Sequence, residues 1–387
     1  MEAKKLLTLA LTGLLVGGCL MVPALAEDAD GQSSGNPATY TIPARVKRIE
    51  DYAFAGDTTL ERVKIPDGVT EIGDYAFSGC TNLQEIELPE GLTKIGNHAF
   101  DGCAALVRID VPTAVNSIGE AAFINCTSLT SFDWPTQITE IPNFVFKGCE
   151  KLNSTGDLSA VTSIGEGSFA DCKALASIKS LSKVKKIGAD AFNGCASLSS
   201  DGMFGQKLES IGDRAFANCT TLKSVSFNNA MKYIGEEAFS NDTQISYVYF
   251  SNWASIHIGN YAFNNCQKMS FSSMGGVVEV GEGAFADCKS LYIISWPSTI
   301  SEIPDFAFSG CSMLRNIRNI ENVTRIGNGA FFDCTSLYGT PIQLTGAGTV
   351  GFLDFKQVEK IGMTAFMNCS SVQTLGDFSH VKTIGGR

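Results

Sequence analysis

Histidine is scarce in this chain of 387 residues, which contains only His98, His257 and His380. None of them lies in an HExxH or Ser-His-Asp pattern, and the sequence has no CxxC pair and no phosphate-binding loop. Through these arrangements side chains commonly hold metals or nucleotides, or carry out acyl transfer. The sequence therefore predicts a protein that is not an enzyme, with no catalytic residues, no cofactor and no metal site.

Basic residues are also in short supply, because 29 Lys and Arg face 40 Asp and Glu and leave a formal net charge of −11. A negative surface repels phosphate backbones and anionic lipids, which argues against nucleic acid as a partner. After the N-terminal region, no stretch approaches the ~18 apolar residues that cross a bilayer. We expect no membrane insertion of the mature chain.

The N-terminal region has the pattern of a secretory signal peptide. Lys4 and Lys5 precede an apolar run from Leu6 to Val16, and Ala24-Leu25-Ala26 supplies a cleavage site. The sequence predicts a signal peptide over residues 1–26. The small, polar and acidic residues 27–39 that follow are typical of a disordered leader.

A second interpretation of this region is a lipoprotein signal. Val16-Gly17-Gly18-Cys19 resembles a lipoprotein cleavage box, in which Cys19 would carry a lipid anchor. The residues after Cys19 stay apolar, which favours cleavage near Ala26. Both interpretations place the mature chain outside the cytoplasm.

From residue 40 to residue 387 one short pattern returns about fourteen times, as in Val69 to Cys80, V-T-E-I-G-D-Y-A-F-S-G-C. Its phenylalanines are Phe54, Phe77, Phe100, Phe123, Phe146, Phe169, Phe192, Phe216, Phe239, Phe263, Phe285, Phe308, Phe331 and Phe366. The steps between them are 22 to 24 residues, except for one step of 35. A fixed period of this kind predicts a solenoid of stacked coils.

Each coil has two kinds of local signal. A helix N-cap residue or an acid stands three residues before twelve of the fourteen phenylalanines, and Gly, Asn or Asp stands two residues after every one. Together they predict a short helical turn closed by a left-handed residue. Between the turns, Leu83 to Pro89 alternates like a strand, and Leu92 to Gly96 gives a second extended piece.

The predicted fold is thus an α/β solenoid dominated by β-structure, with coils of 22–24 residues, short parallel strands and short helical turns. A coil cannot bury its apolar side alone, but stacked coils bury Leu, Ile, Ala, Phe and Cys along one continuous core. The extra residues in the step of 35 lie within Tyr338 to Phe355 and should form a loop that leaves the stack continuous.

The full repeat, L-x-x-I-x-L-P-x-x-L-x-x-I-G-x-x-A-F-x-G-C at Leu83 to Cys103, resembles the BspA-like (Treponema pallidum type) leucine-rich repeats. This resemblance covers residues 40–387. It implies a secreted or cell-surface bacterial protein, since several members of the family are adhesins for host-matrix proteins or other cells. The partner it implies is a protein or glycan on a host or neighbouring cell.

Twelve of the thirteen cysteines occupy the repeat position after the turn. Neighbouring coils stack at ~4.8 Å, and parallel Cβ vectors keep the Cβ atoms near that spacing, longer than the ~3.8 Å of a disulfide. Asp57 and Asp242 replace Cys in two coils and divide the cysteines into runs of seven and five, which cannot pair off completely. We expect free, buried thiols.

On a strand L-x-x-I-x-L the third and fifth residues face outward. At these positions Arg62, Glu85 and Arg108 alternate in sign and predict an ion-pair ladder. Later coils place aromatic and aliphatic residues there, and a contiguous exposed patch of that kind would be a partner-binding site. The candidate partner-binding residues are Tyr247, Tyr249, Phe271 and Ile293.

An alternative for this patch is a register slip over Met269 to Met274, which would turn Phe271 inward. Two functions also remain open: a binding protein that uses its sheet face, and a non-catalytic spacer or targeting region of a longer polypeptide. Val381 to Gly385 begins a fifteenth coil before the sequence stops, which predicts a truncation at the C-terminal end.

Overall fold

The computed structural model describes residues 39–178, 181–199, 204–271, 273–338, 342–343, 349–350, 356–372 and 379–386. The signal peptide, Cys19 and all but the last residue of the predicted leader lie outside these ranges. The chain divides into two compact units. The first consists of the chain up to Ile138 together with Phe144–Leu152, and the second consists of Thr139–Asn143 together with the chain from Asn153. Both are parallel β-solenoids of the predicted kind, with about fourteen coils in all.

Among the described residues, the N-terminal unit contains seven strands. They are β1 (Thr39–Thr41), β2 (Arg48–Ile49), β3 (Arg62–Lys64), β4 (Glu71–Ile72), β5 (Glu85–Glu87), β6 (Lys94–Ile95) and β7 (Ser117–Ile118). One parallel sheet has the order β1-β3-β5 and the other the order β2-β4-β6-β7. Equivalent residues pair from coil to coil, as Ile72 does with Ile95, so each strand repeats the register of the one before it.

The second unit continues the same two-strand coil. Its strands are β8 (Glu140–Ile141), β9 (Ser163–Ile164), β10 (Lys186–Ile187), β11 (Ser210–Ile211), β12 (Ser224–Phe227), β13 (Tyr233–Ile234), β14 (Tyr247–Phe250), β15 (Ile256–Ile258), β16 (Val277–Val280), β17 (Ile293–Ser295), β18 (Glu302–Ile303), β19 (Asn316–Arg318), β20 (Arg325–Ile326), β21 (Ile342–Gln343), β22 (Thr349–Val350), β23 (Lys360–Ile361) and β24 (Thr383–Ile384).

The shorter strand of the coil builds the longest sheet of this unit, β8-β9-β10-β11-β13-β15-β16. The longer strand gives the pairs β12-β14 and β17-β19, and the last coils give β18-β20-β23-β24. β20 pairs directly with β23 although the step between their coils is 35 residues, so the stack is continuous there, as predicted. Within the extra residues, β21 and β22 pair antiparallel, while most of the segment lies outside the described residues.

The predicted helical turn is not helical anywhere in the described ranges. Around Phe77, backbone N–H groups that donate to a carbonyl of the next coil alternate with N–H groups that donate to an earlier carbonyl of the same turn. The Phe77 N–H donates to the Ala99 carbonyl at 2.8 Å, whereas the Ser78 N–H donates to the Tyr75 carbonyl at 3.0 Å. The segment is therefore a run of overlapping β-turns stacked on the next coil.

Two left-handed residues in each coil explain this difference. The one two positions after each Phe is confirmed, as at Gly79 with φ of 74°. A second, two positions before each Phe, was not predicted, because non-glycine residues such as Tyr75, His98 and Arg214 hold it with φ of 52–56°. A positive φ costs an ordinary residue ~1–2 kcal/mol. Here it turns alternate N–H groups toward the next coil, where each finds an acceptor.

The cap-type residues before each Phe also act between coils. Asp74 Oδ1 accepts a hydrogen bond from the Asn97 N–H at 2.8 Å, and Asn97 Oδ1 accepts one from the Glu120 N–H at 2.9 Å. The prediction that they cap a helix in their own coil is wrong. Their short side chains instead join successive coils through a backbone donor.

The glycine that precedes most of these cap residues allows this close approach. A Cβ added to Gly96 would lie 2.5 Å from Asp74 Oδ1 and 2.6 Å from the Asp74 backbone nitrogen. Gly96→Ala should lower the free energy of unfolding by about 1–3 kcal/mol, because either the backbone or the cap must shift. Gly91→Ala in the same coil is the control, since its Cβ would meet only Asp67 O at 3.7 Å. Equal urea midpoints for the two variants would contradict this packing.

The prediction of free cysteines is confirmed for the twelve repeat cysteines, all of which are free and eleven of which are buried. Their thiols also make a hydrogen bond that was not anticipated. Cys103 Sγ donates to the Phe77 carbonyl of the preceding coil at 3.2 Å, and most other repeat cysteines do the same. Burial raises the pKa of Cys149 to about 12. Such thiols are unreactive and serve as core donors.

Candidate functional site

The outer face of strand β14 presents two tyrosines side by side. Val248 and Phe250 are buried in the core, whereas Tyr247 and Tyr249 are each 43% exposed. This alternation follows from the two-residue period of a strand and agrees with the predicted outward positions. β14 pairs in parallel with β12, where Ser224 stands opposite Tyr247 and Ser226 opposite Tyr249. The phenols are thus flanked on one side by small serine side chains.

Phe271 does not belong to this exposed face, which corrects its assignment as a binding residue. It is only 8% exposed, and its ring lies 5.8 Å from the Phe250 ring and 5.4 Å from the Phe285 ring. The regular register would have placed Ser272 in the core instead. Burying the phenyl ring is favoured by a few kcal/mol over leaving it in water, so the register slips, as in the second interpretation.

Ile293 lies apart from the two tyrosines. It is half-buried on strand β17, which pairs with β19 and not with β14. Tyr292 beside it is exposed. The structure therefore brings Tyr247 and Tyr249 together in one sheet, but it joins neither Phe271 nor Ile293 to them.

One exposed aromatic residue close to this face was not predicted. Trp253 is 85% exposed in the turn that follows β14. The backbone N–H of Trp253 donates a hydrogen bond to Ser251 Oγ. The buried Ser251 hydroxyl in turn donates to Asn229 Oδ1 of the preceding coil. The available signal was positional: Trp253 occupies the corner position that Gly68 and Gly91 hold in other coils.

The corresponding face of the N-terminal unit is covered by ion pairs. The predicted ladder is confirmed for Arg62 and Glu85 but not for Arg108. Arg62 Nε lies 3.7 Å from Glu85 Oε2, and Lys64 Nζ lies 2.8 Å from Glu87 Oε2. Arg108 departs from the ladder, because it pairs at 2.7 Å with Asp110 of its own coil. Exposed pairs of this kind contribute roughly 0–1 kcal/mol each and leave little unpaired charge for a partner.

The described ranges hold no group of three or more His, Cys, Asp or Glu side chains arranged for a metal ion. Over the same part of the chain, no helix has the length and apolar character needed to span a membrane.

Three solved structures are similar to this chain. A leucine-rich repeat protein from Bacteroides ovatus is 29% identical, with a TM-score of 0.66 over 78% of this chain and 86% of that one. A leucine-rich cell surface protein from Faecalibacterium prausnitzii is 26% identical, with a TM-score of 0.48 over 91% and 88%. The pneumococcal vaccine antigen PcpA is 15% identical, with a TM-score of 0.47 over 92% and 91%.

None of the curated proteins matches this chain. The model of the BspA type leucine-rich repeat region, in contrast, matches residues 33–153, 140–270 and 256–345, with six copies. These matches span most of the sequence and coincide with the coils seen in the structure. The chain belongs to the BspA type leucine-rich repeat family.

Proposed function

We propose that this chain is a secreted or cell-surface binding protein that acts in adhesion, and that the Tyr247–Tyr249 face docks a protein or glycan partner. The observation that carries the proposal is the exposure of two adjacent phenols on one rigid strand. Tyrosine side chains are enriched among the residues that dominate binding energy, because each offers a large ring and a hydroxyl at low entropic cost.

Three further features support this assignment. Trp253 adds a fully projecting ring at the turn after the same strand. The serines opposite the tyrosines on β12 are small and leave both rings accessible from that side. Membership of the family and the signal-like N-terminal sequence support a location outside the cytoplasm.

The test is a double substitution, Tyr247→Ser with Tyr249→Ser, on the chain as secreted. The probes are an array of purified host-matrix proteins and a glycan array. Binding of the parent chain to at least one probe should weaken by roughly 10–30-fold in the double variant, as expected when two central aromatic contacts are removed. Surface plasmon resonance on that probe gives the ratio.

The control is Tyr52→Ser with Tyr75→Ser in the N-terminal unit. The rings of Tyr52 and Tyr75 stack on each other with centroids 4.9 Å apart, and they lie on turns and not on β14. This variant should bind like the parent. A β14 variant that binds like the parent would refute the proposed face, and a parent that binds no probe would favour the spacer function.

A further inference from the structure

A separate surface of the second unit concentrates arginine beside aromatic rings. Arg315 immediately precedes strand β19, and its guanidinium carbon lies 4.7 Å from the centre of the Tyr292 ring and 5.6 Å from that of Tyr338. The three residues occupy the same position in consecutive coils. Stacking between two rings holds the guanidinium in one plane by cation–π attraction.

Arg315 and its neighbour Arg318 are unusual for this acidic chain, because neither has an acidic partner. Carboxylates lie within 4 Å of five described arginines, namely Arg48, Arg62, Arg108, Arg214 and Arg325. Among the described residues, Arg45, Arg315 and Arg318 have none. The Nε of Arg318 is also shielded from solvent and has no hydrogen-bond acceptor. The Arg318 side chain as a whole is partly exposed, so its guanidinium is accessible to a carboxylate from outside the chain.

The geometry of the two guanidinium groups defines what would fit them. Stacking occupies the faces of the Arg315 guanidinium and leaves N–H donors along its edge, which suits the two oxygens of a carboxylate. Arg318 follows three residues later on β19, opposite Ser295 of β17. At ~3.3 Å per residue the two α-carbons are about 10 Å apart.

From these observations we propose that the surface formed by Arg315, Arg318, Tyr292 and Ser295 binds an extended acidic peptide segment. Side chains of an extended chain alternate in direction, so carboxylates two residues apart share one face at ~6.6 Å, and the two long arginine side chains can converge on them. Long polyanions fit less well, because the net charge of −11 opposes them beyond the two arginines. This site is independent of the Tyr247–Tyr249 face, since β17 and β19 form a different sheet from β12 and β14.

Fluorescence anisotropy with a labelled synthetic peptide tests the proposal. The peptide is glycine- and serine-rich, with two aspartates two residues apart, and it is titrated with the full chain. The parent should bind it, and raising the salt concentration from 50 mM to 500 mM should weaken binding because partly exposed ion pairs are screened. Arg318→Gln should weaken binding at least about tenfold, the scale of one lost charge-assisted hydrogen-bond pair.

Arg315→Lys keeps the charge but removes the planar fork and its stacking, and it should weaken binding by a similar factor. Arg45→Gln is the matched control, because it removes one exposed, unpaired arginine from the other unit. It should leave binding unchanged. Circular dichroism of each variant verifies that the fold is retained, and Arg318→Gln carries the test alone if Arg315→Lys alters the fold.

Four results would overturn the proposal. The parent could fail to bind the peptide, or a peptide with asparagine in place of both aspartates could bind equally well. The Arg45→Gln variant could lose as much affinity as Arg318→Gln, which would reduce the effect to net charge. Lastly, an oligouronate could bind while the peptide does not, which would assign the arginines to an acidic glycan.

Discussion

Phe239→Ala is expected to lower the free energy of unfolding by about 3–5 kcal/mol. Phe239 is completely buried, and its ring stacks on Phe216 at 5.3 Å and on Phe263 at 5.2 Å, with planes within 5° of parallel. Removing the ring leaves a cavity and takes packing from the coils on both sides. Urea denaturation followed by circular dichroism measures the loss.

The slope of the transition with urea concentration carries additional information. In a stack that is stabilised by contacts between neighbouring coils, a weakened central coil should let the flanking coils unfold separately, so the transition broadens. Met313→Ala is the control, because this side chain is exposed and its removal should change stability by no more than about 0.5 kcal/mol. If both variants unfold at the same urea concentration, the phenylalanine stack is not the anchor of the core.

The second large effect concerns Asp242, and Asp242→Asn is expected to stabilise the protein at pH 8 but not at pH 4. Asp242 is completely buried in a position that cysteine holds in most coils. Its Oδ1 accepts a hydrogen bond from the Cys219 N–H at 2.7 Å, while Oδ2 has no partner. Burial raises the pKa of the Asp242 carboxyl well above its usual range.

The other coils show that this repeat position requires a hydrogen-bond donor, which for Asp242 must be the carboxyl proton. In neighbouring coils the cysteine thiol donates to the phenylalanine carbonyl of the preceding coil, as Cys266 does to Phe239 at 3.1 Å. We expect a protonated Asp242 to supply the same kind of donor, toward the equivalent carbonyl of Phe216, while its other oxygen accepts from the Cys219 N–H. An asparagine side chain offers the same acceptor and the same donor without titrating.

The direction of the pH effect follows from the raised pKa. The folded chain retains a proton that the unfolded chain releases, so this contribution to stability is fully present below the ordinary carboxyl pKa. It is lost as the pH rises toward the folded-state pKa, by about 1.4 kcal/mol per pH unit. The titratable groups facing Asp242 are the thiols of Cys219 and Cys266, whose own pKa values are raised by burial. Neither supplies a compensating positive charge.

The measurement is urea denaturation of the parent and Asp242→Asn between pH 4 and pH 8. The difference between them should grow with pH and vanish at the acidic end. Asp57→Asn serves as the control, because Asp57 holds the same repeat position in the first coil but is partly exposed and bonds to the Thr59 hydroxyl. Parallel pH profiles for the parent and Asp242→Asn would show that the carboxyl does not retain its proton.

Much of the fold was predictable because the repeat shows the same environment many times. The parallel strands, the left-handed residue at Gly79 and its equivalents, and the buried free thiols all follow from one period and are confirmed. The helical turn was wrong for a physical reason. A side chain such as Asp74 at a cap position bonds a backbone N–H, but the sequence does not reveal whether that N–H belongs to its own coil or to the next.

The candidate site, too, could be predicted only where the repeat pattern determines the environment of a residue. Tyr247 and Tyr249 were predictable, because strand alternation alone places them outside. The burial of Phe271 depended on a competition between a phenyl ring and a serine for one core position, which two registers left open. Trp253 and Arg315 were not predicted, because the pattern fixes no side-chain orientation at a corner or at the second residue of the L-x-x-I-x-L segment. Only packing against neighbouring coils determines which residues these side chains contact.

The alternating hydrogen bonds of the turns also affect the electrostatics of the molecule. In the turn, the Tyr75 N–H donates forward to the Asn97 carbonyl at 2.8 Å, whereas in the corner beside it the Gly96 N–H donates backward to the Ile72 carbonyl at 2.9 Å. The peptide dipoles of the two ladders therefore point in opposite directions along the stacking axis and largely cancel. An α-helix adds its peptide dipoles head to tail and accumulates about half a charge at each end. A coil added to this stack contributes hydrogen bonds without building such a field, so the number of coils can change with little electrostatic cost.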